Sequence, residues 1–406
     1  MRMMRLNRTF WPVGHGAFYT EQFNWADFVA VYDCGGNIDV IDDRVNSFEE
    51  RVPINGLRNN EKWINILFIS HFHEDHFNGV KHLLSNVHVE RIVLPYFSHL
   101  MLAESFVFNS FIKGGNSVDV SSDVQQGILS LALNRTLYGN ESITEVVDRV
   151  EGENRPIIAN ELSGEINSRT EIHILGEEGY PFWKYVPVNI GVDEKKCKAL
   201  LKKLSKNGAN LYDEDGKVDW DALLEIITKA GIEEVKQAYA EAFGKYNEKK
   251  RKYECNHNAY SMPVFSGPIQ NVGVQCCDLS NKECRYCRPW CYEECCGWSK
   301  CNERLLSCLY MGDFEAKEEN LTKLKQILGD DYYRAGTQQV SHHFSPYNHS
   351  MELYLHRLMA FGNIDDHKDV SFCHSVSNEI ENIIGKRPLV VTEKDNTRCD
   401  LRYKFF

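Results

Sequence analysis

Long apolar runs are missing from this chain of 406 residues: nowhere do about 18 uninterrupted apolar residues occur, so no membrane-spanning helix is expected. The opening stretch, Met1 to Trp11, carries arginines with no apolar segment behind them, which is not the pattern of a secretory leader. Positive charge is scarce as well, with 46 basic against 58 acidic side chains and a formal net charge of −12. That balance excludes a protein whose whole surface coats nucleic acid, while leaving room for a local basic patch. Repeats and low-complexity tracts are absent, and 43% hydrophobic with 12% aromatic residues can build a sizeable core, so disordered and fibrous classes are excluded. The expectation is a soluble cytoplasmic protein without a membrane partner, of two domains or of one elaborated domain.

Common catalytic signatures are missing too. Gly14-His15-Gly16 lacks the third glycine of a dinucleotide fingerprint, since Tyr19 stands there, and Gly385-Lys386 has no upstream glycine at phosphate-loop spacing. No Gly-x-Ser-x-Gly elbow occurs. Asp213 to Asp219 imitates a calcium loop, but with Gly216 at the sixth position Leu211 and Ala222 occupy the first and twelfth, where carboxylates belong. A turn leading into a helix capped by Asp219 is the better expectation.

What is present begins with two apolar runs, Phe28–Tyr32 and Ile64–Ile69, read as buried strands that deliver polar residues at their C-terminal ends. Met101 to about Pro156 reads as mostly helical, and Glu171–Leu175 as a strand. From residue 176 to 253, apolar residues at helical spacing sit among lysines, which predicts a helical insertion. Its lysines form a solvated face or, in the functional alternative, a phosphate-contacting lid.

The strongest signal is His71-Phe72-His73-Glu74-Asp75-His76, directly after the second strand. Three imidazoles and a carboxylate within six residues suit zinc, with manganese or iron as alternatives when carboxylates share the site. His71 and His73 would point the same way and grip one ion, leaving Asp75 and His76 to face a neighbouring position.

His-x-His-x-Asp-His after a strand resembles the signature of the metallo-β-lactamase superfamily. Other motifs of that superfamily have counterparts in order: Asp33-Cys34-Gly35-Gly36, Asn256–Ser261 with His257 as third histidine, Leu309–Asp313, and Val340-Ser341-His342-His343. The resemblance implies an α/β fold, a four-layer αββα sandwich formed by one domain over residues 1–406, holding one or two metals at the sheet edge. A narrower resemblance is to the metallo-β-lactamase domain of the competence protein ComEC, carried by Val13–Ala17, by His342-His343 and by Leu389–Asn396. Here His15 stands for that family's glutamine, Phe344 for the glycine after the double histidine, and no membrane channel accompanies the domain.

By position, the resemblance implies that His71, His73 and His257 hold a first divalent ion and that Asp75, His76 and His342 hold a second, with Asp313 between them. His99 and His173 are reserves. Asp75 is also expected to be the catalytic residue that orients a hydroxide shared by the ions, His343 to support a ligand or face the substrate rather than ligate, and His374, in a loop near the end, to donate to a substrate oxygen. Hydroxide near neutral pH is what such a pair of cations makes available.

Fourteen cysteines in an unsecreted chain favour metal ligation over disulfides. Eight of them crowd the insertion at 271–304, where Cys284-x-x-Cys287 and Cys291-x-x-x-Cys295 have the spacing of a structural zinc knuckle. The functional expectation is a metal-dependent phosphodiesterase or nuclease acting on nucleic acid or a nucleotide. Its alternatives are an ester, thioester or lactone hydrolase of the same fold, and a non-catalytic, metal-stabilised binding module.

Overall fold

The computed structural model describes residues 4–24, 27–55, 61–111, 118–149, 155–176, 178–190, 194–205, 211–213, 215–247, 252–255, 261–269, 274–279, 303–345, 350–364, 370–392 and 399–405. Two large sheets lie face to face. The first runs in the order Val274–Leu279, Cys399–Phe405, Met4–Phe10, Phe18–Phe23, Phe28–Cys34, Glu61–Phe68, His88–Pro95, Ile143–Val147 and Gly164–Asn167, with Ile54–Asn55 pairing Glu61–Phe68. The second runs Leu389–Thr392, Met359–Ile364, Thr337–Gln339, Cys308–Tyr310, Val264–Pro268, Pro181–Pro187, Ile172–Leu175 and Ile157–Ile158.

Strand alternation builds the layers. In Phe28–Cys34, Ala30 and Tyr32 enter the core between the sheets, while Val29 and Val31 enter a second core under helices. In the other sheet Cys308 and Tyr310 point inward and Leu309 outward. Helices Ile41–Glu49, Val80–Asn86, His99–Asn109 and Asp123–Asn134 cover the outer face of the first sheet. Helices Glu318–Leu328, Asp330–Arg334 and Val370–Ile384 cover the second. The result is the expected αββα sandwich, in which each fully buried Phe, Leu or Ile contributes about 1.5–3 kcal/mol.

Between the sheets the core also holds an ion pair. Glu21 accepts from Arg8 Nε at 2.7 Å, Tyr310 Oη at 2.8 Å, Tyr185 Oη at 2.8 Å and Ser266 Oγ at 2.7 Å. The network joins both sheets.

The helical insertion is shorter than expected, because Pro181–Pro187 is a strand of the second sheet. Lys184 disguises its alternation: the side chain is buried on the outer face, neutralised by Glu171 at 2.6 Å and Asp331 at 2.8 Å. Helices begin at Glu194 and comprise Glu194–Leu204, Trp220–Lys229 and Ile232–Phe243. Asp219 caps the second by accepting from Ala222 N at 3.0 Å, and Asp213 closes the preceding turn by accepting from the backbone of Asp215 and Lys217. Leu200, Leu223 and Tyr239 merge with the core under His99–Asn109. There Tyr239 donates to Glu104, whose carboxyl burial pushes up to about 8.

The strand Ile143–Val147 also interrupts the stretch read as mostly helical. Cys284, Cys287, Cys291 and Cys295 lie outside the described residues, as does His257. Among the described residues no helix is long and apolar enough to cross a membrane.

Candidate metal centre

Strands Phe28–Cys34 and Glu61–Phe68 run parallel in the first sheet, and Cys308–Tyr310, Thr337–Gln339 and Met359–Ile364 run parallel in the second. Their C-terminal ends are where connecting loops can bring distant side chains together. Asp33, Ser70 to His76, Asp313 and Ser341 to His343 all sit at or just beyond such ends.

Each turn has a reason in the sequence. Gly312 adopts φ +52°, and a Cβ there would meet Ser261 Oγ at 2.2 Å. The freed space lets Ser261 Oγ accept from Asp313 N at 2.9 Å, while Gln339 Oε1 accepts from the amides of Met311 and Gly312. His342, His343 and Phe344 take φ values of 49°, 45° and 64°, three successive left-handed residues without glycine. Such residues cost on the order of 1 kcal/mol or more each. Burial of Phe344 against Gly362 and the bond from His342 N to Gly312 O (3.1 Å) hold the turn.

Hydrogen bonds to the far nitrogen of each ring fix which nitrogen faces inward. Asp33, fully buried, accepts from Ser70 N at 2.7 Å, Ser70 Oγ at 2.8 Å and His76 Nδ1 at 2.8 Å. With its own proton given to Asp33, Ser70 Oγ takes one from His71 Nδ1 at 2.8 Å. His71 Nε2 is thereby left with a lone pair; it is buried and makes no hydrogen bond among the described residues. His343 Nδ1 donates to the Asn363 carbonyl at 3.3 Å. Nε2 of His71, His76 and His343 therefore all face inward.

They meet the carboxylate of Asp313, which offers one oxygen to each side. Oδ1 lies 3.0 Å from His76 Nε2 and 3.4 Å from His343 Nε2; Oδ2 lies 3.6 Å from His71 Nε2 and 4.0 Å from His73 Nδ1. Asp75 Oδ2 closes the first group, 3.1 Å from His343 Nε2 and 3.8 Å from His76 Nε2. His76 Nε2 and His343 Nε2 are 3.0 Å apart. Ligands about 2.0–2.1 Å from a tetrahedral ion stand about 3.3 Å from one another. The contacts among His76, Asp313 and His343 and that of Asp75 with His343 lie near that edge, with Asp75 to His76 longer, and His71, His73 and Asp313 form a second group.

Electrostatics agree. Burial opposes ionisation of Asp313, yet His342, His76 and His343 hold its carboxyl well below the usual range. Asp75 is held low against burial by His76, His343 and His15. Burial likewise opposes charge on His76, yet Asp313 and Asp75 raise its pKa well above the ordinary imidazole value. A buried and a partly buried anion thus demand positive charge between them, which a divalent cation satisfies better than one proton. The donors, their spacing and the orphaned His71 Nε2 fit metal binding.

Comparison with known proteins adds little. No protein-family profile and no curated protein matches the sequence. Among solved structures the chain is similar to the metallo-beta-lactamase fold protein YhfI from Bacillus subtilis, at 7% identity and a TM-score of 0.36, with 97% of this chain and 98% of that one covered. The layers and the clustered ligands carry the assignment to this fold class.

Of the residues expected at the site, the structure gathers His71, His73, Asp75, His76 and Asp313. It places the two neighbouring histidines differently. His343, expected to face substrate, belongs to the group with Asp75, because the left-handed turn swings its ring over His76. His342, expected as ligand, lies outside both groups yet still acts electrostatically on Asp313. His374 is on helix Val370–Ile384, not in a loop: Phe372, Val376, Ile380 and Ile384 repeat at helical spacing. Of the reserves, His173 pairs with Glu171 at 2.8 Å, and His99 opens the helix His99–Asn109.

Sequence reasoning gave no role to Ser70, Asn363 or His15. The last was singled out only as the residue standing for a glutamine within Val13–Ala17. The orienting role of Asp33 has a measurable consequence. Asp33→Asn keeps the shape but removes the charge behind His76, and metal affinity should fall about 10–100-fold. Zinc titration against a competing chelator checks this, with unchanged circular dichroism as the control.

Proposed function

We propose that the chain is a metal-dependent hydrolase whose substrates are phosphodiesters of a nucleic acid or nucleotide. The observation that carries the reading is Asp313, which presents one carboxylate oxygen to each of two imidazole-bearing groups. His71, His73 and Asp313 would hold one divalent ion, and Asp75, His76, Asp313 and His343 the other, zinc being favoured by nitrogen-rich ligands and manganese or iron by the carboxylates. When bound, such a pair supplies Lewis acidity toward a phosphoryl group and makes hydroxide available near neutral pH. Asp75, at 25% the most exposed member of its group, accepts a hydrogen bond from the attacking water and orients it. His73 is packed under Phe108, a wall that keeps bulk water from that side. No serine or cysteine nucleophile is required.

The ComEC-like motifs support phosphodiesters. The net charge of −12 favours nucleotides and short strands over long polyanions, since repulsion opposes the latter. Three lysines of the insertion helices have glutamate partners, Lys203 with Glu241, Lys229 with Glu225 and Lys236 with Glu233, and the reading does not rely on these as a lid. Cys34 and Cys308 are buried free thiols, which suits the reducing cytoplasm this proposal assumes. A structural zinc at Cys284, Cys287, Cys291 and Cys295 belongs to the same proposal.

The test is cleavage of labelled single- and double-stranded DNA and RNA and of linear and cyclic dinucleotides by protein loaded with zinc or manganese. Cleavage that stops on chelation and returns with metal is expected. Turnover of chromogenic carboxylic esters, thioesters or lactones with no phosphodiester cleaved would overturn the substrate assignment.

A further inference from the structure

From Trp11 to Glu21 every side chain is buried except that of His15. The backbone around it is bolted to the metal-site loops: Ala17 N donates to Asp75 O at 3.2 Å, Gly35 N to Ala17 O at 3.0 Å, and Asn37 N to Val13 O at 2.8 Å. His15 N itself donates to Asn37 Oδ1 at 3.3 Å. Gly16 takes φ +149°, and a Cβ there would meet Asp75 O at 2.4 Å and Gly36 Cα at 2.5 Å. The chain thus brings its backbone against Asp75 while leaving one imidazole, 47% exposed, at the mouth of the site.

That ring lies on His343, with centroids 4.2 Å apart, and its Nε2 is 3.4 Å from Asp75 Oδ2. Its tautomer differs in origin from those of the ligands. His76 and His343 commit Nδ1–H to Asp33 and Asn363, so their Nε2 atoms face inward as ligand atoms. Among the described residues no hydrogen bond of this kind anchors His15 Nδ1, and its Nε2 faces a carboxylate oxygen, which only accepts. The proton therefore resides on Nε2. A nitrogen carrying a proton is a donor and not a ligand.

We propose that His15 is a substrate-binding residue, which gives its Nε2–H to a non-bridging phosphoryl oxygen held beside Asp75. This rests on the phosphodiester reading above. With Asp75 engaged as a ligand, the His15 N–H would be free for a substrate oxygen at the open side of the group. The residue acts on binding, through a neutral hydrogen bond to an anion.

The test uses the full-length, metal-loaded protein and inorganic phosphate as probe, by isothermal titration, beside steady-state hydrolysis of bis(p-nitrophenyl) phosphate. His15→Ala should weaken phosphate binding about tenfold or more and raise KM by a similar factor, with metal content and metal affinity as in the wild type. His15→Gln, which retains an N–H donor, should recover most of the loss. Phosphate affinity within twofold of wild type in His15→Ala would overturn the proposal. So would a drop in metal affinity, which would make His15 a ligand, or a wild-type protein that binds no phosphate. Phosphate titration does not depend on turnover, so a protein that binds phosphate through His15 yet cleaves no phosphodiester would leave this inference standing while the functional reading fell.

Discussion

Asp313→Ala is expected to abolish divalent-metal binding at both groups and to lower hydrolysis by at least about 10³-fold. The size of the effect follows from its sharing: Oδ1 serves His76 and His343, Oδ2 serves His71 and His73. A variant of any single histidine removes one donor, whereas this one removes a donor and a negative charge from both. The imidazoles left behind lie buried next to one another, with His71 and His76 centroids 4.3 Å apart. Without the carboxylate the neutral imidazoles offer lone pairs but no charge, and Asp75 alone faces the divalent cation as an anion. Metal titration and activity should fail together; a variant that kept both would remove Asp313 from the centre.

Glu21→Ala is expected to destabilise the fold by about 3–5 kcal/mol, because it strips a buried guanidinium of its counter-charge. Arg8 is fully buried and Glu21 nearly so. Four donors from both sheets converge on that carboxylate, so its loss also leaves Tyr185, Tyr310 and Ser266 hydroxyls in an apolar layer. For a domain whose net stability is on the order of 5–15 kcal/mol, this is a large share. Urea denaturation checks the value. Replacing both charges, as Arg8→Met with Glu21→Leu, should restore most of the loss, since the cost lies in breaking the pair and not in lacking it.

Legibility in the sequence followed distance along the chain. His71, His73, Asp75 and His76 lie within one turn after a strand, so local spacing announced them. Asp313 could be placed only through the order of motifs. The choice between His342 and His343 depended on three successive left-handed residues, and nothing in Ser-His-His-Phe requires them; a glycine at 344 would have signalled the turn, and burial of Phe344 replaces it. Lys184 hid a strand because its charge, neutralised by Glu171 and Asp331, broke an otherwise apolar run. Arg8 and Glu21 look like surface residues of alternating strands, since burial as a pair is decided by the opposite sheet. His15 went unassigned for a similar reason: the two glycines that place it also resemble a failed nucleotide fingerprint.

Elemental analysis of metal-reconstituted protein in which all eight cysteines of the 271–304 insertion are replaced tests the central claim most directly, because zinc bound to those thiols no longer contributes. The account predicts about two divalent ions per chain, both lost with Asp313→Ala. A folded protein that retains none would contradict it.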